Sequence, residues 1–274
     1  MTVPPAAVHA RNQAQPLTVD DAYARSHRAA LAPSRIGPVG LEIETHLVDL
    51  DAVPDRVAQI QQRQQWKPMV VIDGEERPVV LEGGSIDVDG HGTLLTTEEC
   101  QLSEIQARNP GVGREELEEL FAAYLGVSHV IWLGEGIVGD DTHGHVDDLA
   151  RFVDTRTVVV VQQEDPADPN HARLKDARHR LEKAVDAHGE SLRVVPLPMP
   201  EPVVFDGQRL PASYANFYIG NAAVLVPTFN DPADRVALDT LAGLFPGRRV
   251  VGIHALDLVW GLGTIHCMTQ QEPA

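Results

Sequence analysis

The chain has little to cross-link it and little with which to bind nucleic acid. Two cysteines in 274 residues provide no disulfide framework and fit a reducing cytoplasm. Lys and Arg number 22 against 40 Asp and Glu, a formal net charge of -18. No basic excess therefore exists to displace counterions from a phosphate backbone, and nucleic acid is not an expected partner. No apolar run approaches the roughly 18 residues a membrane helix needs, so no membrane is expected either. The opening stretch "MTVPPAAVHARNQAQPLTVDD" lacks the apolar segment of a signal peptide. Walker sequences, paired CxxC motifs and basic aromatic stretches are missing. "NPGVGREE" (109 to 116) lacks the third glycine of a dinucleotide fingerprint. That stretch reads as a plain loop. The acidic balance is compatible with steering a cationic substrate, although it serves solubility equally well.

What is present falls into two regions. Residues 1 to 77 mix Ala, Pro, Arg and Gln, with one strand expected at Val39 to Leu50. From residue 78 to 274 apolar strands alternate with amphipathic helices, the pattern of an α/β architecture. This region also repeats itself. "TLLTT" (93 to 97), "TVVVV" (157 to 161) and "AVLVP" (223 to 227) each precede a helical stretch and then a second strand, "HVIWL", "LRVVPL" or "RRVVGI". The units start 64 and 66 residues apart. In the first helix Leu117, Leu120, Phe121 and Tyr124 share one face. Asp231 and Pro232 look like the N-cap and first position of the third, and Gly126, Gly189 and Gly247 follow the three helices as candidate left-handed caps. Units of this kind cannot bury their faces alone, so they are expected to pack around an axis with the site at its centre.

Equivalent segments should then meet at that centre: "LEGGSIDVDG" (81 to 90), "DDTHGHVDD" (140 to 148), "SYANFYIGN" (213 to 221) and "GLGTIHC" (261 to 267). Cys267 would supply a thiol, His145 a base, and Glu82 and Asp147 carboxylates. A neighbouring imidazolium favours the reactive thiolate, so the set suits nucleophilic catalysis. Strand alternation would put His145 and Asp147 on one face. If Thr264 to Met268 also form a strand, His266 faces away from Cys267. Each residue alone is more often structural, and Cys100 reads as a small core side chain. A second chemistry competes, since His143, His145 and Asp147 have the alternate spacing from which a strand binds a divalent metal, with His91, His254 or His266 completing the shell. Twelve histidines make such spacing common by chance, and the thiol reading is preferred, with no metal.

Four stretches carry a resemblance. "LEGGSIDVDGHGTLLTTEEC", "DDTHGHVDDLARFV", "SYANFYIGNAAVLVPTFNDPAD" and "GLGTIHCMTQQEPA" are similar, in order across residues 79 to 274, to motifs of the agmatine deiminase family, also called the Porphyromonas-type peptidylarginine deiminase family. The resemblance implies the five-unit α/β propeller of the guanidino-group-modifying superfamily. It implies that Cys267 attacks the guanidinium carbon of agmatine, and that ammonia leaves with a proton from His145. His145 then activates the water that releases N-carbamoylputrescine, a step in putrescine biosynthesis. Glu82 would hold His145, Asp147 would bind the guanidinium, and Asp141 would lie near the distal amine. It implies no metal or organic cofactor, and a homodimer is compatible with this reading.

Two departures accompany it. The family's N-terminal unit, with a Trp and a second guanidinium-binding Asp, is not found here, so the expected ring is incomplete, and a catalytically impaired remnant of the family is the alternative to an active deiminase. "GPVGLEIETHLVDLDAVPDRV" (37 to 57) instead resembles the opening strand of the glutamate–cysteine ligase family, in which Glu42 and Glu44 would help hold Mg and ATP. A join between fragments of two genes would account for both.

Overall fold

The structure is a computed structural model that describes residues 69–72 and 75–269. The strand expected at 39–50, with Glu42 and Glu44, lies outside the described residues. The described chain opens with an antiparallel hairpin, β1 (Met69–Ile72) and β2 (Glu75–Pro78). Three repeated units follow.

In the first unit β3 (Asp87–Val88) pairs antiparallel with β4 (Thr93–Thr97), and β4 pairs parallel with β5 (His129–Leu133). Between β4 and β5 run a short helix, α1 (Glu98–Leu102), and a longer one, α2 (Arg114–Leu125). The second unit repeats this order with β6 (Ala150–Phe152), β7 (Thr157–Gln162), α3 (Asn170–Lys183) and β8 (Arg193–Pro198). A small hairpin, β9 (Val204–Phe205) and β10 (Gln208–Arg209), separates it from the third. That unit consists of β11 (Tyr218–Ile219), β12 (Ala223–Thr228), α4 (Ala233–Leu244) and β13 (Arg249–His254). Every sheet among these units has three strands with the middle strand first in the parallel pair. A parallel pair needs a crossover, and the helix supplies it.

Burial explains why these sequences form these strands. Along β4 all five residues are buried, so no polar face needs water. Leu94 packs with Val112, Leu117, Phe121 and Trp132 beneath α2, while Leu95 joins Ile131 and Leu133 in the larger core of the other two units. Successive strand residues thus serve opposite faces. In β7, Val158, Val159, Val160 and Val161 are all fully buried, the continuous apolar run of a strand covered on both sides.

Arg151 joins the units near their centre. Its Nε donates to Asp87 Oδ1 at 2.9 Å in the first unit, and its Nη1 donates to the Phe217 carbonyl at 3.0 Å before the third. Asp87 Oδ2 also accepts from the Phe152 amide at 2.6 Å. Only 3% of Arg151 is exposed, and burial of such a charge demands this degree of pairing.

Some local expectations hold and others fail. Asp231 Oδ1 accepts from the Ala233 amide at 2.7 Å at the start of α4, but the N-cap is Pro232, one residue later than expected. Gly126 ends α2 in the left-handed conformation, φ 70°. Gly189 and Gly247 do not cap their helices: α3 stops at Lys183 and α4 at Leu244, several residues earlier or without a left-handed turn. Leu117 and Phe121 are buried in α2, but Tyr124, a turn beyond, is 41% exposed. No helix among the described residues is long and apolar enough to cross a membrane. Phe121, 2% exposed, anchors the smaller core. Phe121→Ala is expected to cost about 3–5 kcal/mol in chemical denaturation; a loss below about 1 kcal/mol would show that the first unit contributes little to global stability.

Candidate active site

The four central segments do meet. Glu82 enters a single turn, Gly83–Ser85, that is closed by the Ser85 amide and hydroxyl donating to the Glu82 carbonyl at 3.0 and 2.7 Å. This turn presses against the one at Val146–Asp148. A Cβ on Gly84 would lie 2.6 Å from His145 Nδ1 and 2.9 Å from Asp147 Oδ2. Only glycine lets the two turns approach so closely.

His145 and Asp147 do share a site, but not through strand alternation. They flank Val146 in a tight helical turn, and Val146 is fully buried in the core. The loop before them is organised by Asp140. Its Oδ2 accepts from the Gly144 and His145 amides, each at 2.9 Å, and its Oδ1 from the Thr142 amide at 2.8 Å and the Thr142 hydroxyl. The Thr97 hydroxyl secures the same loop by donating to the Gly144 carbonyl at 2.5 Å. Asp141, which the resemblance places near a distal amine, is exposed; its neighbour Asp140 carries the hydrogen bonds.

His145 Nε2 lies 2.9 Å from Glu82 Oε2. Burial of the imidazole opposes its protonation, but the Cys100 thiol, the Glu82 carboxylate and Asp147 outweigh this and push its pKa up to about 10. Glu82 is held below the ordinary carboxylate range. Burial would raise it, and hydrogen bonds from His145 and Arg108 more than offset that.

Asp147 is completely buried. Its Oδ2 accepts from His266 Nδ1 at 2.7 Å, from Asn216 Nδ2 at 3.2 Å and from the Cys267 thiol at 3.4 Å. Its Oδ1 is buried with no hydrogen-bond partner. Burial pushes this carboxyl up, but the His266 hydrogen bond and the charges of His266, His145 and Arg151 leave it below its usual value. Next to it Asp148 behaves in the opposite way. Burial and the charges of Asp147 and Asp140 raise it well above the carboxylate range.

Cys267 lies in a run of turns, Ile265–Met268, and not in a strand. The expectation that His266 faces away from it therefore fails, because alternation applies only to extended backbone. Both side chains reach the same oxygen of Asp147. Asn216, which is fully buried and was not among the expected site residues, makes this possible. Its Oδ1 accepts from the Thr264 amide at 3.2 Å, the Thr264 hydroxyl at 2.8 Å and the His266 amide at 2.9 Å. Its Nδ2 faces Asp147, Asp148 Oδ1 at 3.0 Å and Cys267 Sγ at 3.0 Å. Donors on one side and acceptors on the other fix the amide orientation. "SYANFYIGN" was singled out as a central segment, but nothing in its spacing marks Asn216 above its neighbours.

Among the described residues two groups of three donor atoms lie close enough to share a metal: Glu82, Cys100 and His145, and Asp147, Asp148 and Cys267. His143, the pivot of the metal reading, belongs to neither. It is exposed and left-handed at φ 61°, a turn geometry that breaks the strand spacing. In the second group an ion would have to displace the Asn216 amide hydrogens.

A sequence model of one family, Porphyromonas-type peptidyl-arginine deiminase, matches residues 44–273. The chain belongs to this family. The match starts well before residue 79 and takes in part of the ligase-like stretch. Two curated bacterial proteins provisionally named agmatine deiminase are similar. One, from Latilactobacillus sakei, is 40% identical over 242 residues, 82% of this chain and 64% of its own length. Another, from a Marinomonas species, is 41% identical over 213 residues, 72% and 57%. Among solved structures, the agmatine deiminase of Enterococcus faecalis aligns with a TM-score of 0.68 and 42% identity over 71% of this chain and 57% of that one. A C. jejuni agmatine deiminase with substrate bound gives a TM-score of 0.68 at 29% identity, 80% and 62%. The chain thus spans 57 to 64% of the length of these relatives.

Cys267 is exposed as a residue, yet its sulfur is packed against Asn216 and Asp147, and this crowding and then the charges of Asp147 and Asp148 push the thiol up, with the Asn216 hydrogen bond acting the other way. A raised thiol holds less thiolate at a given pH than a free cysteine. Iodoacetamide at pH 8 should therefore modify Cys267 at least on the order of 10-fold more slowly than a free thiol, and Asp147→Asn should accelerate it. Equal rates in all three would show that the carboxylates do not act on the sulfur.

Proposed function

We propose that the chain is an agmatine deiminase-type hydrolase, converting agmatine and water to N-carbamoylputrescine and ammonia. The observation that carries this reading is Asp147 Oδ1, a fully buried carboxylate oxygen with no donor, beside a thiol. Leaving such an atom unpaired is costly unless a ligand supplies the N–H. A guanidinium is planar, charged and rich in donors, and it pairs with carboxylates by charge-assisted hydrogen bonds. The Cys267 sulfur lies 3.4 Å from the other oxygen of the same carboxylate, which favours it as the nucleophile toward a guanidinium held by Asp147.

In this reading the Cys267 thiol gives its proton to solvent once the substrate cation lies against Asp147, the thiolate sulfur bonds to the guanidinium carbon, and the resulting tetrahedral adduct expels ammonia. His145, held by Glu82 and protonated at neutral pH, gives the departing nitrogen its proton. The neutral imidazole then takes a proton from water, whose oxygen attacks the same carbon; the carbon–sulfur bond breaks and the urea product leaves. Both half-reactions use one base in its two forms. Substrate charge matters to the first step. The carboxylates that suppress the free thiolate are offset once a cation lies against Asp147. The three units are read as part of the five-unit ring of the superfamily.

Purified protein incubated with agmatine should release ammonia, and Cys267→Ala should abolish release while leaving the melting temperature near that of the parent. Asp147→Asn should lose at least about 100-fold in kcat/KM, the scale of removing a preorganised polar contact. Folded protein that releases no ammonia would overturn the activity, and activity that survives Cys267→Ala would overturn the mechanism.

A further inference from the structure

One charged side chain at the site has no part in the chemistry above. Arg108 sits in the segment between α1 and α2, and its side chain is 17% exposed. Its Nε donates to both oxygens of Glu82, at 3.0 and 2.8 Å. Nη1 donates to the Gln106 carbonyl at 3.1 Å, and Nη2 to the Thr142 carbonyl at 2.6 Å. The segment itself is pinned beside Glu82, since Asn109 exchanges two hydrogen bonds of 2.8 Å with the backbone of Val80. One guanidinium thus links the turn carrying Glu82 to the loop that leads into His145.

We propose that Arg108 is a positioning residue for the deiminase reaction: it holds Glu82 against His145 and takes up part of the carboxylate's charge, so that the imidazole can both give and take a proton. The proposal rests on the deiminase reading for its purpose and on geometry for its substance. Glu82 Oε2 is shared, 2.8 Å from Arg108 Nε and 2.9 Å from His145 Nε2. A carboxylate that serves two cations stabilises each less than it would alone. Arg108 stays charged at every accessible pH, so its claim on Glu82 is permanent, whereas that of His145 is not. Without Arg108 the full carboxylate charge would fall on His145, in a site where Cys100 approaches from α1 and Asp147 adds negative charge from its own turn. The imidazolium would then be too stable to release its proton for the water step. A purely mechanical clamp makes a different forecast, because a loosened loop would let water reach His145 and return it toward ordinary behaviour.

The two roles separate by sign. Histidine-labelled full-length protein would be titrated by NMR from pH 6 to 11, with the His145 signal identified by its loss in His145→Gln. Arg108→Gln is expected to bind the His145 proton on the order of 3- to 10-fold more tightly than the parent, the scale of one nearby charge. Glu82→Gln should bind it more weakly, and Arg108→Lys should stay near the parent. The double variant Glu82→Gln/Arg108→Gln should match Glu82→Gln alone, because Arg108 acts through Glu82. That last pair carries no Glu82 carboxylate without its guanidinium partner and titrates at lower pH, so it can overturn the proposal even if Arg108→Gln does not fold. A midpoint that is unchanged or lower in Arg108→Gln would overturn the proposal, as would an Arg108 effect that persists in the Glu82→Gln background. None of these titrations needs turnover, so a chain inactive toward agmatine sinks the activity and leaves this result to stand or fall separately.

Discussion

A carboxylate with no access to water, Asp147, sets the terms for everything around it. Taken from water alone, it would become neutral. It stays ionised because His266 and Asn216 donate to one oxygen and His145 and Arg151 add positive charge nearby. These partners come from Asp147's own turn and the adjoining β6, from the Asn216 segment and from the turns after β13, so the carboxylate is satisfied only when the second and third units have assembled. Its second oxygen remains without a donor. On the deiminase reading, that unpaired oxygen is where the cationic substrate supplies the missing donor.

Asn216 solves a related problem. The turns around Cys267 have no ladder to hold them, and a loop positioned by side chains alone loses more entropy on ordering than a strand does per contact made. One buried amide replaces that ladder. Its oxygen gathers the amides of Thr264 and His266, and its nitrogen faces the sulfur and both aspartates. Thiol, acid pair and loop are consequently fixed by the same group. Arg108 plays the corresponding part across the site, where it joins Glu82 to the loop of His145.

Much of this was legible in the sequence, and the limits have physical reasons. The paired strands of each unit were readable within a residue or two because β-branched and apolar runs bounded by turns leave few other ways to bury that surface. The repeat spacing placed Glu82, His145, Asp147 and Cys267 near one centre, where the structure brings them together. His266 was misplaced because a strand period was extended into Ile265–Met268, where backbone turns make neighbouring side chains converge. Gly189 and Gly247 were misread because glycine marks any turn, not only the end of a helix. Asn216 and Arg108 were invisible for a different reason. Their roles depend on partners 51 and 26 residues away, and neither has a spacing pattern that a single sequence can display.

Electrostatics ties the site to the composition of the whole chain. On the deiminase reading, the free site is the wrong one for a thiolate: two aspartates face the sulfur, and burial together with the charges of Asp147 and Asp140 holds Asp148 above the usual carboxylate range. That arrangement would be a defect in an enzyme for neutral substrates. For a cationic one it is a gate, since the guanidinium that satisfies Asp147 also removes the charge that keeps the sulfur protonated. Nucleophile and substrate then become competent together, and an unoccupied site is protected from stray electrophiles and oxidants, which attack thiolates and spare thiols. A net charge of -18 extends the same preference outward, because a strongly acidic protein raises the local concentration of cations around it. The features that suppress the resting nucleophile are therefore the features that select what switches it on.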